Sequence, residues 1–163
     1  MARTVDEVTA SIDAENDKIV KQQALVESMQ KQIDENNQEY EALKKQKETL
    51  DITYSEIESL YSSLCRECSS VKEAFGSNNG FANGYGDVMQ QNIENIKSTT
   101  LKKISDMIER IQNQMTNCDN LLRTASDKLA DANNAIINAK NKVVTFNQEL
   151  QQAEEEALIE TGI

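Results

Sequence analysis

Apolar residues recur along this chain in alternating steps of three and four, in two blocks separated by a stretch rich in glycine and asparagine. The first block reads Val5, Val8, Ile12, Ile19, Val26, Met29, Ile33, Tyr40, Leu43, Leu50, Tyr54, Ile57, Tyr61, Leu64, Cys68, Val71 and Phe75. The second runs from Ile104 through Ile108, Ile111, Met115, Cys118, Leu122, Ala125, Leu129, Ala132, Ile136, Ala139, Val143, Phe146, Leu150 and Ala153 to Ala157. A heptad stripe sustained over this length predicts an all-α chain, a long antiparallel two-helix coiled-coil hairpin formed by residues 1–163.

Local signals set the expected boundaries. Thr4 and Glu7 form a capping box, which starts the first helix at about residue 4, and it should run to about 75. Gly76 is the expected stop, because glycine accepts the left-handed conformation that ends helices. Residues 76–86 read as a loop, and Asp87, with Gln90 three positions on, reads as the cap of a second helix over about 87–158. Two arms of similar length joined by a loop centred on Phe81 fold back antiparallel. Ile12 is then expected near Leu150, Ile19 near Val143, Ile33 near Leu129 and Tyr61 near Leu101. A stutter between Ile96 and Ile104 predicts local unwinding at the loop end.

The stripe has polar gaps at Glu15, Gln22, Asn36 and Lys47, which set register at some cost in stability. Val20, Leu25, Leu121, Ile137 and Val144 lie just beside it, and alanines at 125, 132 and 139 permit close approach of another helix. An isolated hairpin of this kind is marginal. The reading is that it pairs into a four-helix bundle, with a second copy or with a helical partner.

Composition narrows the job. Aromatics make up 4% of the 163 residues, with no Trp and no Pro, so the chain can fill a narrow seam but not a thick core. The net charge of −11 opposes binding to phosphate backbones or anionic membranes, so neither nucleic acid nor stable membrane insertion is expected. Acids gather after Lys142, at Glu149, Glu154, Glu155, Glu156 and Glu160; a solvated helix end is the plainer reading, a dock for a basic partner the sharper one. The chain shows no signal-peptide pattern and no bilayer-spanning stretch, which predicts a cytoplasmic protein or one exported with a partner by a route that needs no signal peptide.

Candidate chemistry is sparse. Cys65-Arg66-Glu67-Cys68 falls inside a helix rather than at its start, Cys118 is expected far from both, and His is absent. Reduced structural cysteines, no metal, no cofactor and no catalytic residues are the expectation, so the chain reads as a non-enzyme. The loop aromatics stand out. Phe81 and Tyr85, set among Gly80, Gly84 and Gly86, either cap the seam against Val71 and Phe75 or form an exposed recognition element.

A long helix, a mid-chain turn with an aromatic and glycines (Phe81, Gly84, Tyr85), and a second antiparallel helix resemble the Trp-X-Gly superfamily of type VII secretion. The resemblance is to its YwqH-like members, which accompany LXG-domain toxins. The chain departs from that pattern in having no Trp, in the spacing of Phe81 and Gly84, and in Phe146 being followed by Leu150 where a Tyr-x-x-x-Asp/Glu signal would end in an acid. The resemblance implies an adaptor that packs against the helical domain of a secreted LXG effector. Phe81, Gly84, Tyr85, Val20, Leu25, Leu121, Ile137 and Val144 are the candidate contact residues. A prefoldin-like holding chaperone, or a self-associating spacer, is the alternative expectation.

Overall fold

The computed structural model describes residues 3–75 and 80–160. Gly76, the rest of 76–79 and Gly162 lie outside them. The chain is an all-α helical hairpin of two helices packed against each other, α1 (Val5–Phe75) and α2 (Gly80–Glu160). The capping box forms as its sequence requires: the Glu7 amide donates to Thr4 Oγ1 at 3.3 Å and the Thr4 amide to Glu7 Oε2 at 3.0 Å. Asp6 and Glu7 in the first turn of α1 and Lys72 in its last suit the helix dipole.

The hairpin divides into two compact units. Unit 1 joins Met1–Asn37 to Asn120–Ile163. Its buried residues are Val8, Met29, Ala125, Ala132, Ile136 and Ala139, with Glu15 the one buried charge among the described residues. The Glu15 carboxylate accepts from Lys18 Nζ at 2.6 Å and lies 3.7 Å from Lys142 Nζ on the other helix. Arg3 ties the start of α1 to α2. Its guanidinium pairs with Glu149 at 3.1 Å, lies 5.1 Å from the centre of the Phe146 ring and donates to the Glu7 carbonyl and the Ser11 hydroxyl.

Unit 2 is Gln38–Asp119. Its core is Leu43, Ile111, Met115 and Cys118, flanked by half-buried Tyr40 and Leu50, with Leu101 and Ile104 also buried. Lys97 Nζ reaches Ser62 Oγ across the two helices at 3.2 Å, and Lys72 pairs with Asp87.

Every seam position expected from Val5 to Tyr61, and from Ile104 to Ala153, is buried or half-buried, the polar gaps included. Leu64, Val71, Phe75 and Ala157 are exposed instead.

The turn departs from expectation. Residues 80–86 are helical, so Phe81, Gly84 and Tyr85 sit on α2 and not in a loop, and Asp87 is inside the helix and not its cap. A glycine inside a helix costs about 1 kcal/mol, which neighbouring contacts can outweigh. Those contacts are present in the Phe81–Tyr85 ring stack and the Asp87–Lys72 pair. With α2 beginning at Gly80 and not at Asp87, the arms pair about one helical turn away from the expected register. Glu15 meets Lys142, and Ser62 meets Lys97, where a turn centred on Phe81 would have set Tyr61 beside Leu101.

Candidate functional site

Beside the turn, unit 2 opens into an apolar groove of about 560 Å³. One wall comes from α1, through Leu64, Cys68, Val71 and Phe75. The other comes from α2, through Phe81, Tyr85, Met89 and Ile93.

The α2 wall explains why the groove exists. Its four residues follow one another in steps of four, and each such step advances about 40° around a helix of 3.6 residues per turn. The row therefore winds out of the seam instead of following it. Exposure records the winding: Ile93 is half-buried, Met89 is 40% exposed, Tyr85 63% and Phe81 86%. The half-buried positions that replace them on the inner face are Asn83, Gly86, Gln90, Lys97 and Thr100. Polar or small groups at these places cannot seal against the apolar face of α1, so Leu64, Val71 and Phe75 stay open to solvent.

Phe81 and Tyr85 stack with ring centroids 6.5 Å apart and planes 10° from parallel. They form an exposed lip on the groove, across from Val71 and Phe75. Gly86 has a steric role. The aliphatic stem of Lys72 passes over it so closely that a Cβ there would meet Lys72 Cγ at 2.5 Å. Lys72 and Glu67 are the charged side chains lining the groove, and Lys72 is held by Asp87. Glu67, exposed at the groove's edge, has no ion pair among the described residues.

The other candidates fall elsewhere. Gly84 does not line the groove, and a Cβ placed on it meets nothing within 4 Å. Val20, Leu25, Leu121, Ile137 and Val144 are all exposed, and all belong to unit 1. In their heptads Val20, Ile137 and Val144 take the b position, Leu25 and Leu121 the g position. They therefore lie on opposite flanks of the seam and do not make one widened stripe. Leu64 and Cys68, expected in the seam, complete the α1 wall, and Met89 and Ile93 complete the α2 wall without having been singled out by the sequence. Their signal was the run of four-residue steps from Phe81 to Ile93.

All three cysteines are free thiols, Cys65 and Cys68 half-buried and Cys118 buried. Burial pushes the Cys118 thiol above its ordinary value, with Glu39 and Asp119 adding to the effect. The hydrogen bond from Lys18 holds the Glu15 carboxyl below the usual carboxylate range, against the opposing effect of burial and with Lys142 assisting. Among the described residues no cluster of three or more His, Cys, Asp or Glu side chains could hold a metal ion. No helix among them is long and apolar enough to cross a membrane. No family model matches the chain, and neither a curated protein nor a solved structure matches it.

Proposed function

We propose that this protein is a non-enzymatic helical adaptor that packs against the helices of a partner protein, the helical domain of a type VII-secreted LXG effector being the partner its sequence pattern favours. The observation that carries this reading is the groove at the turn. There the hairpin leaves two rows of large apolar side chains in water. Contiguous apolar surface of that kind, bordered by polar residues, marks interaction sites. Helices laid into apolar grooves are a recurrent way of filling them.

The holding-chaperone alternative needs its sticky surface at the free ends of the helices. Leu158 and Ile159 are exposed there, but Val5 is half-buried and Val8 fully buried under the Arg3 contacts. Leu64, Val71, Phe75, Phe81, Tyr85 and Met89 are exposed together around one groove beside the turn, which favours the adaptor.

Co-expression with the helical domain of an LXG toxin encoded by the same genome tests the reading. A complex of defined stoichiometry, stable through size-exclusion chromatography with light scattering, is the expected outcome. A hairpin that elutes alone, with the toxin domain soluble and separate, counts against it.

A further inference from the structure

We infer that the groove beside the turn accepts a single amphipathic helix carrying basic residues next to its apolar stripe, supplied by a partner protein and not by a second copy of this chain. This inference rests on the adaptor reading and adds the chemistry of the occupant.

Three observations lead to it. The first is shape. The α2 wall runs from Phe81 to Ile93, about 18 Å at 1.5 Å per residue, which matches roughly three turns of helix. The second is the surface presented. Phe81, Tyr85 and Met89 offer two flat rings and one flexible thioether, the side chains best suited to anchor a partner's aliphatic residues. The third is charge. Lys72 is already occupied by Asp87, and among the described residues no cation pairs with the Glu67 carboxylate at the groove's edge. The chain as a whole carries −11. A second copy would bring the same sign of charge to the same place, and like charges brought together at an interface are unfavourable. A helix with Lys or Arg flanking its apolar row gains in both respects.

The experiment uses two fluorescein-labelled 18-residue peptides with leucine at the same amphipathic positions. One carries lysine at the remaining positions and the other glutamate. A scrambled lysine peptide of equal composition controls for bulk attraction. Fluorescence anisotropy with the full-length protein is expected to show saturable binding of the lysine peptide only. Phe81→Ala and Met89→Ala each weaken it about tenfold, the size expected when an interface anchor is truncated. Both residues are exposed, so circular dichroism of the variants is expected to match the parent. Glu154→Gln with Glu155→Gln, in unit 1, leaves binding unchanged.

Equal binding of the scrambled peptide, or indifference to Phe81→Ala, overturns the proposal in favour of diffuse attraction to an acidic protein. Equal binding of the glutamate peptide, abolished by Phe81→Ala, overturns the assignment of charge while leaving a helix-binding adaptor standing. Sedimentation showing a dimer that Phe81→Ala dissolves overturns it in favour of a second copy. Failure of all peptides to bind, alongside capture of an LXG domain that Phe81→Ala does not disturb, separates a wrong groove from a wrong adaptor.

Discussion

The stretch of unit 1 lined by Ala125, Ala132 and Ala139 and the stretch of unit 2 beside the turn are built on the same heptad rule, and they end differently. In unit 1 the small α2 residues are 2–5% exposed, so the seam closes over them. Beside the turn, α1 keeps its apolar heptad through Leu64, Cys68, Val71 and Phe75, but α2 presents Asn83, Gly86, Gln90 and Lys97 to it. From residue 44 to residue 100 no described side chain is fully buried. Periodicity in one helix is therefore insufficient. A seam needs both helices in phase, and where one drifts by four-residue steps the result is a groove.

This contrast can be broken experimentally. The largest effect is expected from truncation. Ile111→Ala in the unit 2 core should cost about 2–5 kcal/mol, as such buried deletions do, whereas Val71→Ala beside the turn should cost under about 0.5 kcal/mol. Urea denaturation followed by circular dichroism reads both, and similar losses at the two sites would abolish the distinction. Overpacking comes next. Ala132→Leu, at a position 2% exposed, should destabilise by about 1–3 kcal/mol. A tolerated leucine there would mean the seam is looser than its burial indicates.

A smaller effect sharpens the other side. Gly84→Ala should stabilise by up to about 1 kcal/mol, because a Cβ meets no neighbour there and alanine is the better helix former. Were residues 80–86 a loop, the same substitution would give no gain.

The last effect depends on pH. Glu15 has its folded-state pKa lowered, chiefly by Lys18, so its contribution is present at neutral pH. That contribution is lost as pH falls below the ordinary carboxylate value of 4.5 and through the lowered one. Glu15→Gln should flatten the stability profile in that acidic window, and midpoints measured in urea from pH 6 to pH 3 would show it. An unchanged slope would mean the carboxylate is not effectively paired.

Much of the fold was legible because heptads are a strong signal and α1 obeys them from Val5 to Tyr61. The capping box at Thr4 and Glu7 was equally plain, since its two hydrogen bonds follow from side-chain reach alone. The turn was harder to read. Gly80, Gly84 and Gly86 each lower local helix propensity, and propensity is a weak guide once tertiary contacts such as Lys72–Asp87 form. The stutter before Ile104 was visible, but its consequence was not, because a phase error matters only once the opposing helix is in place. Phe81 and Tyr85 stood out for their chemistry. Met89 and Ile93 did not, since a four-residue spacing looks like any helical face until its drift is followed over three steps. The exposed flanks at Val20 and Ile137 were identified residue by residue, yet their separation from Leu25 and Leu121 depends on which side of the seam each heptad position occupies.

The placement of tyrosine gives the molecule a built-in optical asymmetry. With no tryptophan, its near-ultraviolet emission comes from Tyr40, Tyr54, Tyr61 and Tyr85, all within Gln38–Asp119. The alanine-lined unit carries no tyrosine. Melting watched through tyrosine light thus reports one unit while far-ultraviolet dichroism reports both, and any gap between the two curves is a direct reading of how independently the units come apart.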